Sequence, residues 1–111
     1  MMHLNPITPG DKHLPRPVVI VSTNARNRHW DSVIVVPCSS NLENPNPKFH
    51  KALPGGEGGI SKDCHARCDL ISNIQKSRLD RSQGPLGNVI SDKFMWDIVR
   101  GIRANIGDSG S

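Results

Sequence analysis

The chain has 111 residues, an apolar fraction of 35%, a formal net charge of +4 and a pI near 9.3. This length predicts one domain, residues 1–111, and the absence of an apolar run near the roughly 18 residues that span a bilayer predicts a soluble, cytoplasmic protein without membrane contact. The basic excess favours a polyanionic partner, while two Trp, two Phe and no Tyr are too few for an aromatic stacking platform.

The first predicted element is a loop. Residues 5–15 contain Pro6, Pro9, Gly10 and Pro15, which rule out regular structure. This loop carries Asp11, Lys12 and His13 towards the beginning of the first long apolar run.

Two short apolar runs, residues 16–22 and 33–41, are rich in β-branched side chains and are predicted as neighbouring buried strands. The turn residues of the charged segment 24–30 predict a hairpin loop between them. If the strands pair antiparallel, the beginning of one lies beside the end of the other. Polar side chains at those two ends would then share one rim, namely Arg16, Ser39, Ser40 and Asn41.

The middle of the chain predicts one long flexible loop and a group of strands. Pro and Gly dominate residues 41–59, leaving a short strand over 48–53. Residues 60–74 predict one or two strands, and 86–90 predict the last one. Alternation in the first of these segments sets Ala66, Cys68 and Leu70 against Arg67, Asp69 and Ile71.

The C-terminal segment, residues 91–106, predicts the one clear helix. Ser91 is a suitable N-cap and Gly107 a suitable stop. An apolar stripe at helical spacing should face the core. It consists of Phe94, Met95, Ile98, Val99, Ile102 and Ile106.

The three cysteines are an odd number, which argues against a disulfide framework. Cys64, His65 and Cys68 suggest a metal site at first sight, but strand alternation sets His65 on the face opposite the two thiols. The sequence therefore predicts buried thiols, no metal and no cofactor.

Two motifs carry a family resemblance. Arg16-Pro17 before a strand, and Pro37-Cys38-Ser39-Ser40-Asn41 at the end of the next, resemble the MazF/PemK family of toxin endoribonucleases. The loop Pro6–Asp11 is similar to that family's Pro-Thr-x-Gly-x-Glu loop, whereas Leu70 and Ser72 depart from its usual amide and basic residues. The resemblance implies a mainly β fold with a C-terminal helix, a small SH3-like barrel whose first strand is short or missing.

The resemblance also implies a function. The expected protein is a type II toxin, a metal-independent and sequence-selective endoribonuclease that cuts single-stranded mRNA to 2′,3′-cyclic phosphate and 5′-hydroxyl ends. A homodimer and an acidic antitoxin are the expected partners. The expected catalytic residues are Arg16, Ser39, Asp11 and His13, and the expected RNA-binding residues are Lys12, Arg26, Arg28, Ser40, Asn41, Lys48, Lys51, Lys76 and Arg78.

Three alternatives stay open at this point. A degenerate toxin domain would bind nucleic acid without cleaving it, and a plain β-barrel interaction domain would leave the Arg16 and Ser39 pairing accidental. A gyrase poison of the same fold would attack DNA gyrase, but its relatives share a terminal Trp-Gly-Ile, whereas Trp96 and Gly101-Ile102 lie inside the predicted helix.

Overall fold

The computed structural model describes residues 4–5, 17–60, 62–78 and 90–108. These residues form an antiparallel sheet and two α-helices, one of which ends the described chain. The strands are β1 (Leu4–Asn5), β2 (Val18–Ile20), β3 (Ser32–Ser39), β4 (His50–Leu53), β5 (Cys64–Arg67) and β6 (Ser72–Gln75), and the helices are α1 (Asn24–His29) and α2 (Asp92–Asn105). The mainly β fold with a C-terminal helix is thereby confirmed. The length of the first strand stays a prediction, because residues 1–3 and 6–16 lie outside the described part of the chain.

Strand β3 is the centre of the sheet. It pairs antiparallel with β2, with Val18 opposite Pro37, which confirms the pairing expected for the two apolar runs. Its other edge is shared, because β6 pairs with the first half of β3 and β5 with its last two residues. The resulting order is β1-β2-β3-β5-β4, with β6 also on β3.

Both faces of β3 are packed, so the strand divides two apolar clusters. Val36 and Cys38 point into the main core beneath α2, where Ile98 is fully buried. Val33 and Val35 point to the other face, into a smaller cluster completed by Val18, Ile20 and Ile74. Because side chains alternate along a strand, odd-numbered residues of β3 share the second face.

Helix α2 matches its predicted bounds, and Gly107 follows it at φ 84°, the left-handed conformation of a helix stop. Ser91 is the N-cap residue, as predicted, but its hydroxyl donates to Glu57 and forms no capping hydrogen bond with the first turn. The prediction that Ile106 lies in the core is wrong: it is the C-cap residue after the last helical residue and is 73% exposed. Across the described segments, no helix is long and apolar enough to cross a bilayer.

The predicted hairpin loop over 24–30 is wrong, because α1 occupies most of it. Thr23 begins the helix by accepting a hydrogen bond from Arg26 N at 3.3 Å. Asn27 Nδ2 donates to the Ser22 carbonyl at 3.2 Å, which ties the helix to the end of β2. Tertiary anchoring of this kind stabilises a helix too short to form alone.

The continuous alternation predicted through Ala66, Cys68 and Leu70 is also wrong. Strand β5 ends at Arg67, and a 3-10 turn over Cys68–Leu70 turns the chain before β6 begins. The turn is needed because β5 and β6 pair with different parts of β3. In the predicted strand 86–90, residues 86–89 lie outside the described residues, and Ile90 is buried without being part of a strand.

Candidate active site

The end of β3 and the beginning of β2 form one rim, as the antiparallel register requires. Cys38 N donates to the Pro17 carbonyl at 3.0 Å, so Pro17 lies beside the residue that precedes Ser39. Ser39 is partly exposed, and Ser40 and Asn41 are exposed. The rim therefore presents two hydroxyls and one amide next to the backbone of Pro17.

Several predicted site residues lie outside the described part of the chain. They are Asp11, Lys12, His13 and Arg16, together with the side chain of Arg78. Arg16 directly precedes Pro17 in sequence. Its role with Ser39 stays a prediction.

A histidine that the sequence prediction left out of the site faces Ser39. His65 on β5 is the direct cross-strand partner of Ser39, and Ala52 of β4 is the next residue in the same row. Opposed residues in an antiparallel pair have Cβ atoms about 4.5–5.5 Å apart on one face of the sheet. The alternation of residues 64–68 predicts that His65 lies on the face opposite the thiols. Nothing in the sequence indicates that β5 pairs with β3, so the contact with Ser39 could not be predicted.

A hydrogen-bonded cluster lies one row further along the same face. Asp69 accepts from Arg67 Nη2 at 2.6 Å, and its Oδ1 lies 3.2 Å from His50 Nε2. His50 Nδ1 in turn accepts from Asn46 N at 2.8 Å. Because Nδ1 is an acceptor here, Nε2 carries the proton and donates it to Asp69.

The contacts of Asp69 lower its pKa. Burial removes water from the carboxylate and raises its pKa, but hydrogen bonds from Arg67 and His50, together with the positive charge of Arg67, outweigh burial. The net pKa is below the ordinary value of 3.8. Asp69 is therefore ionised at neutral pH and holds β5 to the beginning of β4.

The two lysines predicted to bind RNA in the loop before and at the start of β4, Lys48 and Lys51, differ in exposure. Lys48 is exposed, with its amine 5.6 Å from the centre of the Phe49 ring. The Lys51 side chain is only 14% exposed, because its amine donates to the Pro47 carbonyl at 2.6 Å and lies 3.7 Å from Asp97 on α2. Lys51 therefore links β4 to α2, and its RNA contact stays a prediction.

The basic residues of α1 lie at the far end of β3. Arg26 Nη2 donates to Ser32 and to Asn73 at 3.3 Å each, and the guanidinium stacks 4.6 Å from the centre of the Trp30 ring. Ser32 begins β3 and Ser39 ends it, a separation of about 23 Å for an extended strand.

The predicted contacts of this basic group to RNA remain untested. Lys76 belongs to the same end, since its N donates to the Asp31 carbonyl at 2.8 Å. The structure therefore does not bring Arg26, Arg28 and Lys76 together with Ser39.

The three thiols are free and buried. A hydrogen bond with Cys64 and burial raise the pKa of Cys38 well above its ordinary value, and burial raises that of Cys68 to about 11. Among the described residues, no group of three His, Cys, Asp or Glu side chains is arranged to hold a metal ion.

Comparison of the sequence with protein families identifies the chain. Residues 1–106 match the family described as PemK-like, MazF-like toxin of type II toxin-antitoxin system. The chain belongs to this toxin family. A comparison with curated protein sequences found no match.

Solved structures share the toxin's fold. A Mycobacterium tuberculosis toxin, MazF-mt6, is 16% identical with a TM-score of 0.72, and the alignment covers 95% of this chain and 94% of that one. A mycobacterial endoribonuclease in complex with its cognate antitoxin is 22% identical with a TM-score of 0.75, covering 98% and 95%. A further mycobacterial endoribonuclease is 22% identical with a TM-score of 0.71, covering 98% and 91%.

The residues compared with the motif of gyrase poisons lie in the C-terminal helix. Trp96 and the Gly101-Ile102 pair both lie within α2, as the sequence predicted.

Proposed function

We propose that the toxin is a cytoplasmic, metal-independent and sequence-selective endoribonuclease that cuts single-stranded mRNA. The observation that carries the proposal is the pairing of β2 with β3, which sets Pro17, the residue after Arg16, beside Cys38 and so next to Ser39. Solved structures of the same fold that are endoribonucleases support it.

The reaction needs little beyond positioning and charge stabilisation. RNA supplies its own nucleophile, the 2′-hydroxyl, and its attack on the adjacent phosphorus gives a 2′,3′-cyclic phosphate and a 5′-hydroxyl. Negative charge then develops on the phosphoryl oxygens. The enzyme must stabilise that charge, hold the 2′-oxygen in line and move two protons.

The residues of the rim divide these tasks. Arg16 supplies a permanent charge and a fork of donors that matches phosphate oxygens. Ser39 donates a hydroxyl hydrogen bond to the same phosphate, and Ser40 and Asn41 orient the phosphate or the 2′-oxygen. Asp11 and His13 of the preceding loop are candidates for handling protons.

RNA binding and partners complete the proposal. Lys12 and Lys48 contact phosphates near the cut, and Arg26, Arg28, Lys51, Lys76 and Arg78 are further candidates for RNA contacts. The toxin forms a homodimer with RNA lying across both subunits. The partner is an acidic antitoxin that competes with RNA for the basic residues. A mycobacterial endoribonuclease of the same fold, solved in complex with its cognate antitoxin, supports an antitoxin partner.

The test is cleavage of a long unstructured RNA by purified toxin in EDTA, with the new ends mapped chemically. We expect discrete cuts with 5′-hydroxyl ends that are lost in Arg16→Ala and reduced in Ser39→Ala. Arg100→Ala is the matched control, because Arg100 is an exposed arginine on α2. RNA binding without cleavage by the folded wild type would instead support a degenerate binding domain, and cuts that require a divalent cation would refute the metal-independent mechanism.

A further inference from the structure

Arg16 and Ser39 do not supply a good proton acceptor, and the loop candidates Asp11 and His13 lie outside the described residues. A guanidinium with a reference pKa above 12 and a serine hydroxyl are both poor bases near neutral pH. We infer that His65 is the general base that accepts the 2′-hydroxyl proton during RNA cleavage. This assignment rests on the proposed ribonuclease function and adds a catalytic residue to it.

The β3–β5 register supplies the geometry. His65 is directly opposite Ser39, so the two side chains extend from the same face of the sheet with Cβ atoms about 4.5–5.5 Å apart. One phosphodiester held by Ser39 therefore has its ribose within reach of the imidazole. Both side chains are partly exposed, so RNA has access to them.

The imidazole of His65 is also free to act. Within the described residues, neither it nor the Ser39 hydroxyl forms a hydrogen bond or ion pair. His50, on the same face, uses both ring nitrogens in contacts with Asn46 and Asp69. His29 is exposed on α1, at the other end of β3. Among the described histidines, His65 alone combines an unused ring with proximity to Ser39.

The proton and electron changes balance without a cofactor. The 2′-oxygen forms a bond to phosphorus while its proton passes to a ring nitrogen of His65. The bond from phosphorus to the 5′-oxygen breaks, its electron pair stays on that oxygen, and the oxygen takes a proton from water. His65 then returns its proton to the solvent, so the products have the same atoms and charge as the RNA.

The groups around His65 come from three strands and the residue before β5. Asp63 precedes β5 and accepts from Gly55 N. Arg67 on β5 lies two residues beyond His65, and its charge is paired with Asp69. From β4 the neighbours are Ala52, directly opposite, and His50, one row away. From β3 the described neighbours are Ser39 and uncharged rim residues. A base must be unprotonated to act, so the cleavage rate should rise with pH through the range in which an imidazole titrates.

The experiment measures single-turnover cleavage of a short RNA in EDTA, from about pH 5 to about pH 9. It compares wild type, His65→Ala, His65→Gln and the control His29→Ala. Binding is measured separately with the same RNA carrying a 2′-deoxy sugar at the cut. We expect His65→Ala and His65→Gln to cleave about 10²–10⁴-fold more slowly, to lose the rise with pH, and to bind the deoxy RNA as wild type does. Added imidazole should partly restore cleavage by His65→Ala.

Each outcome decides the assignment. If the wild type cleaves and both His65 variants cleave at a similar rate with an unchanged pH profile, His65 is not the base and the ribonuclease function stands. If the wild type cleaves no RNA, the proposed function fails and this assignment fails with it. If the variants do not fold, NMR of the His65 ring in the wild-type protein tests whether His65 contacts RNA. A shift on adding deoxy RNA, with none for His29, supports the contact, and an unchanged His65 ring overturns it.

Discussion

A Cβ atom on Gly101 would stand 2.6 Å from the thiol sulfur of Cys68, so helix α2 and the turn after β5 touch where one residue has no side chain. The same added atom would lie 3.1 Å from Cys68 Cβ and 3.2 Å from Lys51 Cε. Glycine is costly inside a helix. At this position, it allows the backbone of α2 to approach the buried thiol.

Gly101→Ala should therefore destabilise the protein. Alanine improves helix propensity by about 1 kcal/mol, but forcing a methyl group against a fully buried side chain typically costs about 1–3 kcal/mol. We expect a net loss of up to about 2 kcal/mol in the free energy of urea unfolding. In a Cys68→Ala background the same Gly101→Ala change should cost less unfolding free energy, because the added methyl group no longer meets the sulfur. An equal loss in both backgrounds would show that the sulfur contact is not the cause.

Glu57 caps α2 from a distant loop. Its two carboxylate oxygens accept from Ser91 N at 2.9 Å and Ser91 Oγ at 3.0 Å, where a negative charge also favours the helix N-terminus. Glu57→Ala should cost about 1 kcal/mol of unfolding free energy. Glu43→Ala is the control, since Glu43 is an exposed glutamate in the same part of the chain. Equal stability of the two variants would refute the capping role.

Asp69 should stabilise the fold in a pH-dependent way. Its folded-state pKa lies below the ordinary value of 3.8, so its contribution is present above about pH 4 and is lost as the pH falls through the folded pKa. Asp69→Asn should lower the unfolding free energy at pH 7 by roughly 1 kcal/mol, and the difference from wild type should shrink towards about pH 3. Urea titrations at several pH values test this against Asp31→Asn, an exposed control. A difference that does not change with pH would contradict it.

The thiols should be unreactive in the folded protein. Cys38 and Cys68 are 2% and 0% exposed, and a pKa of about 11 for Cys68 leaves roughly one thiol in a thousand ionised at pH 8. Cys64 should react first, because it is 7% exposed and its pKa is lowered by the hydrogen bond with Cys38.

Alkylation by iodoacetamide, followed by mass spectrometry, measures this order. Ser77→Cys supplies an exposed thiol that should react at once. The native thiols should react far more slowly, Cys64 before Cys38 and Cys68. Rapid native labelling of Cys68 would contradict its burial.

Arg28 should matter only for long RNA. It lies on α1, which contacts Ser32 through Arg26, and Ser32 is about 23 Å from Ser39 along β3. Arg28→Ala should cleave a substrate of about five nucleotides at the wild-type rate, since an RNA centred on Ser39 extends too little to reach α1. If Arg28→Ala slows cleavage of longer RNA only, the RNA spans both ends of β3. If it also slows cleavage of the short RNA, Arg28 acts closer to Ser39 than this prediction states.

Local patterns in the sequence determined the elements whose signals are local. The β-branched runs fixed β2 and β3, and the apolar stripe with Gly107 fixed α2. The polar residues after β3 placed Ser39 at a strand end, because a strand ends where its apolar run does. These features depend on residues close together in the chain.

Only the tertiary structure decided what the local pattern left open. Helix α1 depends on Asn27 and Arg26 reaching β2, β3 and β6, and the turn at Cys68 depends on β5 and β6 pairing with different parts of β3. The position of His65 opposite Ser39 is of the same kind. Strand alternation states which face a side chain takes, but the register between segments far apart in sequence arises from packing the whole sheet.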